Sequence, residues 1–187
     1  MKKVTKARNN ILGFSLAETL MAVLILLLVA SVIAAGIPAA VSAYKNAVDG
    51  ANAQTLLSTT VNALRSELST ASDVEVDPAS NVIVYRCSRT GARTKLYNET
   101  GTIMVQDYYN AGSDPQPTPS RGLISETMTK KSKNSSENYG LAFSINTSPA
   151  SDVISFAAVT VKDGTVPGAS EVASVGPVTV RLIAPAS

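Results

Sequence analysis

The sequence predicts an α+β chain, a long N-terminal helix packed on a C-terminal antiparallel β-sheet. Three patterns lead there. No residue from Thr19 to Tyr44 is charged, and that run exceeds the ~20 apolar residues a membrane helix needs. Beyond it, apolar residues recur at helical spacing as far as Leu68. From Val74 onward the repeat changes to the alternation of a strand.

The helix is predicted from Phe14 to about Ala71. Val41, Tyr44, Val48 and Ala51 form one stripe, and Leu57, Val61, Leu64 and Leu68 another. Lys45, Asn46, Asn52, Gln54, Asn62, Arg65 and Glu67 lie between and opposite them. The first half of the helix is therefore apolar all round and the second half amphipathic. Ser69–Ser72 loses the pattern and Pro78 follows. Gly36 and Pro38 interrupt the apolar half. A proline there removes a backbone hydrogen bond, so Gly36 and Pro38 are the expected site of a kink or a melted turn. The alternative is an ordinary membrane-helix proline without such a role.

The strands follow in order. Asn81–Cys87 is a compact β-prone run. Thr94–Tyr97 and Thr102–Gln106 flank Asn98-Glu-Thr-Gly101 and read as a hairpin. Tyr139–Asn146 and Val153–Val161 are further strands, with Lys162-Asp-Gly164 as a turn. Val178, Val180 and Leu182 alternate with Thr179 and Arg181 in a half-buried strand. The expectation is one sheet of roughly four to six strands, its apolar face covered by the Leu57–Leu68 stripe. Asn110–Ser120, with alternating prolines, and Gly164–Gly176 are expected to be loops.

One residue in the N-terminal segment resists a simple reading. Glu18 stands at the mouth of the apolar run, where a carboxylate is costly unless paired. A secretory signal peptide, cut after Val41-Ser42-Ala43, is one account of the segment. Its apolar core would be longer than the usual 7–15 residues, roughly. A plain single-pass anchor is another, and it leaves Glu18 unexplained. Basic residues precede the run and none follow closely, so the N-terminus is expected to stay cytoplasmic and the remainder to be exported.

Gly13-Phe14-Ser15-Leu16-Ala17-Glu18, after a short basic leader and before an apolar helix, resembles the cleavage and methylation signal of type IV pilins and pseudopilins. Ala17 departs slightly, standing where that family more often has a bulkier aliphatic. The resemblance covers about 1–72. It implies a pilin-like fold divided into a leader (1–13), a membrane and filament-core helix (14–43), its amphipathic half (44–72) and an exported β-rich domain (73–187). It also implies cutting between Gly13 and Phe14 by a prepilin peptidase and N-methylation of Phe14. Polymerisation through the N-terminal helix would follow. Its partners would be homologous subunits, an assembly ATPase and platform protein, and the membrane. Glu18 would then face the new Phe14 amine of a neighbouring subunit. Breaking a buried ion pair costs about 3–5 kcal/mol, so Glu18 is suited to setting register between subunits. The filament would end at the cell surface or outside it. An exported β-rich binding domain carried by a signal peptide or anchor is the alternative.

Composition narrows the chemistry. Histidine is absent and Cys87 is the single cysteine. A Ser-His-Asp triad, a Cys-His pair and an internal disulfide cannot form, nor can a zinc site built on histidine or several cysteines. No enzyme activity and no cofactor are expected, and Cys87 reads as a small buried hydrophobe. The net charge of +2 arises in the leader. Of 16 Lys and Arg, four are Lys2, Lys3, Lys6 and Arg8, so 12 remain against 14 Asp and Glu. The body is not basic enough to argue for nucleic acid. Lys130-Lys131-Ser132-Lys133 is a small basic cluster. It reads first as a solvated loop and second as a contact to DNA phosphates. Asp107, Asp114 and Asp152 form no recognisable calcium loop. Asn98-Glu-Thr100 and Asn134-Ser-Ser136 fit a glycosylation sequon.

Overall fold

The structure is a computed structural model that describes residues 15–111, 114–131, 137–146 and 153–183. The chain divides into two compact units, residues 1–46 and 47–187. Helix α1, Leu16–Ser69, begins in the first and ends in the second. Its last turn falls two residues short of the predicted Ala71.

In the first unit α1 is apolar on every side. Leu20, Met21, Leu24, Leu27, Leu28 and Ile33 are all more than half exposed. Pro38 lies inside the helix, and the backbone is helical throughout 33–41. The single chain therefore has no melted turn at Gly36 and Pro38.

The second unit is an α+β body of antiparallel strands. The first sheet holds β1 (Ser72–Asp77), β2 (Val82–Arg86), β3 (Arg93–Glu99), β4 (Thr102–Ala111) and β5 (Asp114–Pro117) in that order. β6 (Arg121–Gly122) also pairs with β4. The short helix α2 (Glu126–Thr129) follows. The second sheet centres on β8 (Val153–Lys162). β7 (Gly140–Ile145) lies along one side of it. β9 (Glu171–Val175) and β10 (Val178–Arg181) follow each other along the opposite side.

The core explains why these elements meet. Ala53, Leu56, Leu57, Val61, Leu64 and Leu68 of α1 are buried. They share one cluster with Ile83 and Tyr85 of β2, Leu96 of β3, Ile103 and Val105 of β4, and Phe143 and Phe156 of the second sheet. The two phenylalanine rings meet edge to face at 5.4 Å, the arrangement favoured by the ring quadrupoles. The predicted Leu57–Leu68 stripe is thus the face that covers the sheets.

The hairpin at Asn98–Gly101 forms as expected, with Glu99 paired to Thr102 across Thr100 and Gly101. Thr100 has φ +48° and Gly101 φ +68°, the left-handed pair that a two-residue hairpin turn requires. A Cβ on Gly101 would lie 2.6 Å from the backbone of Thr165, so close approach as well as φ calls for glycine. Gly176 has a similar role between β9 and β10, where a Cβ would collide with the Ala157 carbonyl.

Three expectations change. The strands form two sheets instead of one. Within the expected loop Asn110–Ser120, Asp114–Pro117 pairs with Tyr108–Ala111. A proline is tolerated in such a flanking strand, where its missing N–H need not join a ladder. Within the expected loop Gly164–Gly176, Glu171–Val175 is a strand. Its Val-Ala-Ser-Val content is too short and too little buried to produce a clear alternation.

Candidate functional site

The site predicted from sequence lies at the start of α1. Gly13 and Phe14 lie outside the described residues. Ser15 immediately precedes the helix, and its carbonyl accepts the N–H groups of Glu18 at 3.0 Å and Thr19 at 3.2 Å. The Ser15 hydroxyl also accepts the Glu18 N–H, at 3.3 Å. Ser15 is therefore the N-cap, satisfying donors that a helix start leaves without partners. Ser15-Leu-Ala-Glu18 is the Ser-x-x-Glu pattern of a capping box. Sequence reasoning assigned Glu18 to a neighbouring subunit and missed this local role, although the spacing alone announces it.

Glu18 is exposed in the first turn of α1. There the helix dipole favours a carboxylate. The segment that follows has the chemistry of a hydrocarbon-facing surface. An 18-residue window has mean hydropathy 2.9 and is wholly unburied, so α1 contains a stretch long and apolar enough to cross a membrane. Two of its hydroxyls turn inward. Thr19 Oγ1 donates to the Leu16 carbonyl and Ser31 Oγ to the Leu28 carbonyl, each at 2.8 Å. That folding-back leaves neither hydroxyl dependent on water.

Lower on α1, the body is fastened by two tyrosines. Tyr85 donates to Glu67 Oε1 at 2.9 Å. Tyr139 donates to the Asp49 carbonyl at 3.2 Å and lies 3.5 Å from Asp49 Oδ1. Asp49 and Glu67 are about five turns apart at 3.6 residues per turn, so both acids flank the same buried face. Burial, and then the charge of Glu67, push the Tyr85 hydroxyl well above its usual range. Burial, and then Asp49, raise Tyr139.

The remaining candidates have mostly structural partners. Lys131 is paired with Glu137 at 3.3 Å and with Asp163, and it lies over the Tyr139 ring at 5.9 Å. The bond to Asp163 raises its pKa most, so its charge is committed within the chain. Lys130 is exposed, and Ser132 and Lys133 lie outside the described residues. Asp107 accepts a hydrogen bond from Thr94 at 2.8 Å. Among the described residues no group of acidic, histidine or cysteine side chains is placed to hold a metal ion. Cys87 is buried. The Asn98 amide is engaged with the Phe143 backbone, so this sequon is a structural joint. Asn134 lies outside the described residues. No family model, curated protein or solved structure matches the chain.

Proposed function

We propose that the chain is a structural subunit of a type IV pilus or related pseudopilus, cut after Gly13, N-methylated at Phe14 and polymerised through α1. The observation that carries the reading is Gly13-Phe14-Ser15-Leu16-Ala17-Glu18 running into the first turn of the apolar helix. An apolar surface that the single chain leaves uncovered needs lipid or protein against it. In this reading the membrane supplies that cover first and other subunits supply it later. The chain itself catalyses nothing. The prepilin peptidase, assembly ATPase and platform protein act on it, and the filament is displayed at or beyond the cell surface. The bend at Gly36 and Pro38 belongs to the assembled form.

Glu18 has two candidate roles, and they are separable. As a capping-box residue, Glu18 can be replaced by glutamine with little loss, because Gln also serves at that position. As the partner of a neighbour's Phe14 amine, Glu18 cannot lose its charge. Filament yield should fall at least tenfold in both Glu18→Gln and Glu18→Ala, with processing and membrane insertion retained. Normal filaments from Glu18→Gln would reduce Glu18 to a helix cap and remove this mechanism of assembly.

A further inference from the structure

The first sheet turns Ile83, Tyr85, Leu96, Ile103 and Val105 into the core. The residues that alternate with them therefore share its outer face. They include Val82, Val84 and Arg86 of β2, Arg93 and Lys95 of β3, and Tyr108 of β4. With Asp77 and Ser80 these residues line a groove of about 680 Å³, within the roughly 300–1,000 Å³ of ligand sites.

Cations gather at one end of the groove. Arg86 stands directly opposite Arg93, and Lys95 follows on the same face, opposite Val84. Like charges opposed across strands are unfavourable, and two acids of β1 offset them only in part. Arg86 gives Nε to Asp73 at 3.0 Å and Nη1 to the Gly91 carbonyl at 3.3 Å, and Arg93 gives Nη2 to Glu75 at 2.7 Å. Each guanidinium keeps the larger share of its N–H donors, and exposed pairs of this kind contribute little. Among the described residues Lys95 pairs with no carboxylate; its Nζ lies 4.8 Å from the centre of the Tyr97 ring. This end therefore holds three cations against two acids. The other end is acidic and hydroxylated. Asp77 accepts from the Ser80 hydroxyl at 2.5 Å and the Ala79 N–H at 3.0 Å, with acceptor capacity left over. Between the ends Val82 and Val84 form a half-buried apolar floor, and Tyr108 stands beside Arg93. From Val82 to Arg86 the strand covers about 13 Å.

We infer that this groove binds an acidic saccharide, with its carboxylate on Arg86, Arg93 and Lys95 and its uncharged rings along Val82 and Val84 toward Asp77 and Ser80. The planar fork of a guanidinium matches a carboxylate. A sugar ring presents C–H groups to the valines and hydroxyls to Asp77 and Ser80, so one molecule answers the apolar floor and both polar ends. A nucleic acid or another polyanion would bring charge against Asp77, which is unfavourable. An acidic peptide has no row of hydroxyls for that carboxylate. The inference concerns the body and stands apart from the pilin reading.

The test is calorimetric titration of the intact chain, in a detergent without a sugar headgroup, with an aldotriouronic acid (one glucuronic acid on two xyloses). Saturable binding is expected. Affinity should fall at least tenfold for the methyl ester of the same trisaccharide and at least fivefold in Arg93→Gln or Lys95→Gln, with Lys130→Gln unchanged. Lys95→Gln breaks no ion pair, so its effect reports on the groove and not on folding. Absence of binding to the trisaccharide would overturn the proposal. Equal binding of the methyl ester would remove the role of the cations, and an equal loss in Lys130→Gln would move the site elsewhere; either result overturns it. Equal binding of a blocked acidic tripeptide or of inorganic phosphate would show that charge alone is recognised and would overturn the saccharide. Methylation at Phe14 bears on none of these outcomes, so the pilin reading and this one fail separately.

Discussion

Asn98, on β3, holds the backbone of Phe143, on β7, with both ends of its side-chain amide. Nδ2 donates to the Phe143 carbonyl at 2.7 Å, and Oδ1 accepts the Phe143 N–H at 3.1 Å. One side chain thus reproduces the two bonds of a strand neighbour. Asn81 adds a third contact by accepting the Ile145 N–H at 3.0 Å. The two sheets are joined at this seam, which also keeps the β7 edge from pairing elsewhere.

Replacing Asn98 by alanine should destabilise the body by about 2–6 kcal/mol, since it strands two partly buried backbone groups at ~1–3 kcal/mol for each. Asn98→Asp should recover less than half of that loss, because a carboxylate can accept from the Phe143 N–H but cannot donate to its carbonyl. Chemical denaturation of the intact chain in detergent, followed by tyrosine fluorescence, measures both.

The Tyr85–Glu67 bond fixes the end of α1 on the first sheet. Tyr85→Phe should cost about 1.5–3 kcal/mol at neutral pH, the range for a hydrogen bond to a charged group. The melting midpoint compared with the unaltered chain checks it.

Both clamping tyrosines also set a pH dependence. Their hydroxyls keep the proton to higher pH in the folded chain than in the unfolded one, where tyrosine ionises near 10.0. Above that value the folded state binds more protons, so stability falls with rising pH. The contribution is complete below pH 10 and is lost as pH climbs toward the raised values. Lys131 acts in the same sense above its ordinary 10.5. Tyr85→Phe together with Tyr139→Phe should flatten the alkaline limb of a stability profile measured between pH 8 and 11. An unchanged slope would show that the two hydroxyls are not held this way.

Gly101→Ala should destabilise by about 1–3 kcal/mol, the usual cost of forcing a side chain into a sparsely populated backbone conformation, with more from the contact with Thr165. Gly91 also has φ +68° but open space around a Cβ, so Gly91→Ala should cost less. Thermal melts of the two variants, side by side, test the contrast.

What was legible in the sequence was what depends on period and on local chemistry. The Leu57–Leu68 stripe is one such signal, because burial repeats on one helical face. Asn98–Gly101 is another, because a left-handed turn selects its residues. The division into two sheets was not legible, since β9 is too short and too exposed to alternate clearly and the β8–β10 pairing passes over β9 in sequence. The bridging role of Asn81 and Asn98 is not legible in sequence, because nothing local shows that an amide will replace a strand. At the candidate site, Glu18 stood out because a charge is rare beside such an apolar run. The cap at Ser15 is quieter, although a serine three residues before a glutamate is the ordinary mark of a helix start.

The central claim concerns the N-terminus of the protein as it exists in the cell. Intact-mass and N-terminal peptide mass spectrometry of chain recovered from membranes and from sheared surface material measures it directly. The pilin reading predicts a chain that begins at Phe14 and carries one methyl group on its amine. A chain that still begins at Met1, or one that begins at Tyr44, would contradict it.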